Sequence, residues 1–126
     1  MKEFEKWISK AENNLLSISN NFNSVNVPVE ICCFHAQQAA EKYLKAYLVS
    51  KNLPFPKTHD LEALVRLWAS ENPFFGNILY EARSLVRYAI TPRYPDTADD
   101  LVLDDAKQAL QDALSVKQFI LKSFFE

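Results

Sequence analysis

Apolar residues recur along this chain at steps of three and four, the spacing that places side chains on one face of an α-helix. Phe4, Trp7, Ile8, Ala11, Leu15 and Ile18 form the first stripe and predict a helix over Lys2–Ser19. The segment SNNFNSVN that follows is rich in side chains that bond their own backbone, so it predicts a loop. A second helix is predicted over Val27–Ser50. Pro28 suits its first turn and Glu30 complements the helix dipole there. Val29, Cys32, Ala36, Ala40, Tyr43 and Tyr47 share one face, while Phe34, Leu44 and Leu48 add apolar surface elsewhere. A helix apolar over so much of its girth belongs in the centre of its domain. KNLPFPKT, with Pro54 and Pro56, then breaks it.

Three more helices follow. One starts near Thr58, read as its N-cap, with Leu61, Leu64, Val65 and Trp68 as its stripe. The next starts at Asn72-Pro73, buries Ile78, Ala82, Leu85 and Ala89, and ends before Pro92. The last runs from Thr97 to the C-terminus with Asp99 and Asp100 in its first turn. Ala113, Val116, Ile120 and Phe124 give it a core face, but Phe119, Leu121 and Phe125 cover other faces. Two apolar faces call for two partners: either a second copy of the chain, or the first helix with the aromatic end folded back on it. Nothing in the pattern splits the chain. Residues 1–126 read as one all-α domain, an up-and-down antiparallel helical bundle of about five helices, four long and one short.

Composition narrows the chemistry. The single glycine, Gly76, excludes a glycine-rich phosphate loop and argues against an all-β fold with many tight turns. A net charge of −2 with 24% charged residues disfavours disorder and a generally basic nucleic-acid binder. Adjacent Cys32 and Cys33 are not a disulfide framework, so a reduced, cytoplasmic setting is expected. MKEFEKWISK does not read as a signal peptide, and no apolar run is long enough to span a membrane.

Cys32 and His35 share a helix face, but no second Cys/His pair sits at ligand spacing, so buried packing is favoured over zinc and no metal or other cofactor is expected. No Gly-x-Ser-x-Gly elbow is present, and Cys33 with His35 lacks an orienting third group, so no catalytic residue is assigned. Two polar groups stand out. Arg83, Arg87 and Arg93, with Tyr88 and Tyr94 beside them, form a stretch without an acid. Guanidinium forks match phosphate oxygens and a tyrosine ring stacks on a base, so a phosphate-bearing ligand is one reading; pairing with the acidic run that follows is the other. His35, Gln38, Lys42 and Lys45 form a polar row on the central helix. They line the same cleft as the arginines if the second and fourth helices are adjacent, or else face solvent. His59 stands at a helix start, where capping or packing competes with ligand binding.

FHAQQAAEKYLKAYL (Phe34–Leu48), THDL (Thr58–Leu61) and YAITPRYPD (Tyr88–Asp96) together resemble the HEPN domain family, the higher eukaryotes and prokaryotes nucleotide-binding proteins. The motifs stand in the family's order and, with the helices, extend the resemblance over essentially the whole chain. The resemblance implies a helical bundle, commonly homodimeric, in a small prokaryotic cytoplasmic protein. It also implies a nucleotide ligand and a separately encoded minimal nucleotidyltransferase, including toxin–antitoxin pairs, as partners. Many members are ribonucleases built on Arg-x(4–6)-His. Here both histidines, His35 and His59, precede all four arginines, so that motif does not exist. The resemblance therefore implies a non-catalytic nucleotide- or nucleotidyltransferase-binding bundle. A metal-independent ribonuclease with an atypical site, built on His35 or His59 with Arg87, is the alternative.

Overall fold

The computed structural model describes residues 2–70, 72–88 and 101–124. Among these there are five α-helices and no strand: α1 (Glu3–Phe22), α2 (Val29–Ser50), α3 (Leu61–Ala69), α4 (Leu79–Val86) and α5 (Leu103–Ser123), with a 3-10 turn at Pro73–Ile78 before α4. No helix among the described residues is long and apolar enough to cross a membrane.

The central position expected for the second helix is observed. α1 and α5 make their main contacts with α2, and α3, the 3-10 turn and α4 close the remaining side. Cys32, Cys33, Ala36, Ala40, Tyr43, Leu44 and Leu48 are all buried. Trp7 meets Lys45 and Asn14 meets His35, so α1 runs antiparallel to α2. Tyr43 meets Lys117 and Tyr47 meets Phe124, so α5 runs parallel to α2.

Several boundaries differ from the sequence expectation for identifiable reasons. α1 continues to Phe22 through the asparagines, because Ile18 is buried and Phe22 packs on the core; tertiary burial outweighs weak helix propensity. Pro28 is the N-cap of α2 rather than part of its first turn. α2 ends before either proline: Asn52 adopts φ 56°, Leu53 N donates to Leu48 O and Asn52 N to Val49 O. That is a Schellman cap with asparagine where glycine is usual. The cap of α3 is Asp60, whose carboxylate accepts from Ala63 N, while Thr58 Oγ1 accepts from Asp60 N. The fourth predicted helix begins as the 3-10 turn, with the Asn72 side chain accepting from Phe74 N. α5 begins at Leu103, so Asp104 and Asp105, not Asp99 and Asp100, occupy its first turn. Ala89, Pro92, Arg93, Tyr94, Thr97 and Phe125 lie outside the described residues.

Phe119 and Phe124, towards the end of α5, pack against aromatic rings within the chain. Phe124 packs on Phe4 at 5.3 Å and Tyr47 at 6.0 Å, and Phe119 on Phe75 at 5.9 Å. Phe124 of the core face thus folds back on the first helix, while Phe119 of the second apolar face rests on the 3-10 turn. Gly76 lies in the 3-10 turn with nothing near the position of a Cβ and no positive φ, so no steric demand selects this glycine.

Candidate functional site

The segment between α2 and α3 runs back along α2 and covers Lys45, the last member of its polar row. Phe55 lies 5.8 Å from Lys45 Nζ, and His59 Nδ1 lies 2.9 Å from Glu41 Oε1. Glu41 is 3% exposed and also takes bonds from Lys45 Nζ at 3.2 Å and Gln37 Nε2 at 3.2 Å. Gln37 further ties down the segment by donating to His59 O. Lys45 is itself buried, sandwiched against Trp7 and Phe55. It does not line an open cleft, contrary to expectation: the backtracking segment closes over it and Glu41 neutralises it. His59 keeps a 57% exposed side chain with one ring nitrogen committed to Glu41.

A second network lies at the α1–α2 seam. Lys42 Nζ donates to Asn14 Oδ1 at 2.7 Å, and Asn14 Nδ2 meets His35 Nδ1 at 2.8 Å. Asn14 is 8% exposed, while His35 and Lys42 are half-buried. No carboxylate bonds to either base among the described residues. Burial pushes the His35 imidazole below its ordinary pKa, and the Lys42 ammonium pushes it the same way. Burial also lowers Lys42. Glu41 opposes that shift, and Lys10 and Lys45 reinforce it. This is a cationic seam without full compensation, in which a further anion gains Coulomb energy. Gln38 borders it and joins it to the Glu41 network by donating to Gln37 Oε1 at 2.7 Å.

Arg66, Arg83 and Arg87 are held by acids. Glu62 Oε2 accepts from Arg66 Nε at 2.8 Å and from Arg83 Nη2 at 3.4 Å. Arg87 contacts Asp105 at 3.3 Å, bonds the Tyr88 hydroxyl and lies over that ring. Asp105 belongs to the acidic run, so for Arg87 the pairing reading is the one observed. Tyr88 is buried, 5% exposed, and offers no open face for a base to stack on. Burial raises its phenol pKa, only partly offset by Arg87.

α2 and α4 are in contact, but they do not merge the two predicted groups into one cleft. Arg87 and Tyr88 lie within electrostatic reach of Cys33. His35 is two residues further along α2, about 200° around a helix with 3.6 residues per turn. Arg87 therefore sits on one flank of α2, and His35 with Lys42 on the other, against α1. Asn14 and Glu41, which organise the two networks, were missed from sequence. The signal lay in a polar residue inside the stripe of α1, and in Glu41 four residues from Lys45. Among the described residues no three His, Cys, Asp or Glu side chains gather as a metal site. Cys32 is buried and burial raises its thiol pKa, while His35 Nδ1 is engaged by Asn14.

No curated protein matches the chain. Two crystal structures share its fold. An archaeal HEPN homologue, ST0689, superposes with a TM-score of 0.77 at 25% identity, covering 98% of both chains. TT1696 from Thermus thermophilus superposes with a TM-score of 0.80 at 23% identity, covering 97% of this chain and 98% of that one. The HEPN domain family model matches residues 4–123. With the all-helical bundle and the central motif-bearing helix in place, this chain belongs to the HEPN domain family.

Proposed function

We propose that this HEPN protein is a non-catalytic binding module for a nucleotide, taken up free or presented by a nucleotidyltransferase partner, with the phosphate held at the α1–α2 seam. The observation that carries this reading is the Lys42–Asn14–His35 chain. Lys42 uses one of its three donors on Asn14 and has no other hydrogen-bond partner among the described residues. His35 stands on the same amide. Lys10 adds positive charge, and Gln38 supplies a neutral donor and acceptor at the edge. By contrast, Arg83 and Arg87 already have carboxylate partners. Homodimerisation, a separately encoded minimal nucleotidyltransferase and a toxin–antitoxin role belong to this reading through the family resemblance.

The test is a thermal-shift series with AMP, ATP, GTP, CTP and UTP on wild type, Lys42→Gln and Arg87→Ala. A ligand at about a hundred times its Kd stabilises the fold by roughly 2.7 kcal/mol, a rise of several degrees at this size. The rise is expected in wild type and Arg87→Ala and absent in Lys42→Gln. Loss in Arg87→Ala with retention in Lys42→Gln would move the site to α4.

One observation favours the ribonuclease alternative. His59 is an exposed histidine oriented by a buried carboxylate, the arrangement of a general acid–base. Metal-free cleavage of RNA that disappears in His59→Ala would establish it.

A further inference from the structure

We propose that the seam selects a doubly charged terminal phosphate, as in AMP, over a singly charged phosphodiester, because filling it draws a proton onto His35. The inference rests on the binding reading above and adds the ligand's charge state and the proton it brings.

The hydrogen-bond roles follow from chemistry. An ammonium only donates, so the Asn14 atom facing Lys42 Nζ at 2.7 Å is the carbonyl oxygen. The Asn14 amide nitrogen then faces His35 Nδ1 at 2.8 Å, and an NH2 group only donates. Nδ1 must accept. His35 is therefore neutral here, with its proton on Nε2. A proton added at Nδ1 would set two donors against each other. Turning the Asn14 amide to relieve that conflict would set its NH2 against Lys42 instead. While Lys42 holds Asn14, the relay keeps His35 neutral.

The surrounding charges act in the same sense. From α2, Lys42 faces His35, with Lys45 and Glu41 acting on Lys42. From α1, Lys10 adds to the positive field at Lys42 and Asn14 contributes no charge. The Phe34 ring packs edge-on against the imidazole at 5.9 Å.

A dianion changes this balance. Lys42 can hold a phosphate with its two spare donors and keep Asn14, but a second negative charge favours moving the ammonium off Asn14 wholly onto the phosphate, which frees Asn14 Oδ1 to turn and accept from His35 Nδ1. The imidazole then takes a proton from solvent. Lys42 and protonated His35 together match the two negative charges of a terminal phosphate. A phosphodiester carries one charge, which Lys42 alone balances, so it gives His35 less reason to protonate.

The experiment is isothermal titration calorimetry of the full chain between roughly pH 7.5 and 6.5, spanning the ordinary histidine range, in buffers of different ionisation heat. The probes are AMP, sulfate and the dinucleotide ApA. Sulfate stays doubly charged throughout, so protons taken up with it come onto the protein. For sulfate, uptake approaching one proton per site and a Kd falling up to about tenfold per unit of falling pH are expected; for AMP both are smaller at the low end, because its phosphate takes up its own second proton near about pH 6. ApA should bind more weakly with little uptake. His35→Asn keeps a carbonyl acceptor near the position of Nδ1, and should bind sulfate without uptake or pH dependence. In wild type, the imidazole nitrogen resonances of His35 should change from one protonated nitrogen to two on adding sulfate. Binding of sulfate with no proton uptake, equal uptake in His35→Asn, or ApA binding as tightly as AMP would overturn the inference and leave the binding reading standing. Absence of binding by both AMP and sulfate would overturn the binding reading, and the inference with it.

Discussion

Replacing Glu41 by glutamine tests how the strap over α2 is held. Glu41 and Lys45 have side chains 3% and 8% exposed and stand 3.2 Å apart. The substitution keeps the volume of the side chain and one acceptor. It leaves the Lys45 ammonium buried between Trp7 and Phe55 with no counter-charge. Breaking a buried ion pair on one side costs about 3–5 kcal/mol, and the contacts of Lys45 with the two aromatic faces, present before and after, leave that difference unchanged; the retained amide acceptor places the cost at the low end. The expected loss is about 3 kcal/mol, or roughly 10 °C in midpoint for a domain of this size. Urea unfolding with an unchanged slope m reads it directly. Glu41→Leu with Lys45→Met should restore most of the stability, because the pair as a whole gains little over apolar packing. A loss below about 1 kcal/mol in Glu41→Gln would show that Lys45 is not desolvated in solution, and would refute the buried-pair description.

Other consequences are equally direct. Asn52→Ala should cost about 1 kcal/mol, because alanine lacks the short polar side chain that lets asparagine tolerate the left-handed region, while Asn52→Gly should cost nothing measurable by thermal unfolding. Tyr43→Phe removes the hydroxyl that donates to Glu12 Oε1 at 2.6 Å and should cost about 1 kcal/mol in urea unfolding; a neutral outcome would mean water replaces it fully. Phe124→Ala should cost about 2 kcal/mol, less than a fully buried phenylalanine, and should leave AMP binding unchanged. His35 has its folded pKa below its ordinary value through burial and Lys42, so the unfolded chain binds more protons as pH falls through that window. Stability should therefore decline from about pH 7 towards pH 5, and His35→Asn should flatten that part of a thermal-midpoint profile.

The all-α bundle and its central helix were legible because α2 carries apolar side chains around most of its girth and the chain has one glycine. What escaped was set by tertiary contacts. The boundary of α1 depends on Phe22 finding the core, and the end of α2 on Asn52 taking a left-handed conformation. The start of α5 was misplaced because Asp99, Asp100, Asp104 and Asp105 all suit a helix N-terminus; Asp105 prevails by accepting from Val102 N at 2.8 Å while reaching Arg87. For the site, the polar row on α2 was visible, but its division was not. A backtracking segment after Ser50 takes Lys45 out of solvent through Phe55 and leaves His35, Gln38 and Lys42 at the α1 seam. No periodicity encodes that segment's path. For Arg87, pairing with the acidic run that follows was legible, and Asp105 of that run is the partner observed.

The most direct measurement of the central claim is a titration of the uniformly 15N-labelled chain with AMP, followed by amide and side-chain NMR. Perturbations centred on Asn14, His35, Gln38 and Lys42, saturating at one AMP per chain, are the predicted result. Perturbations centred on Arg83 and Arg87, with the α1–α2 seam unmoved, would contradict it.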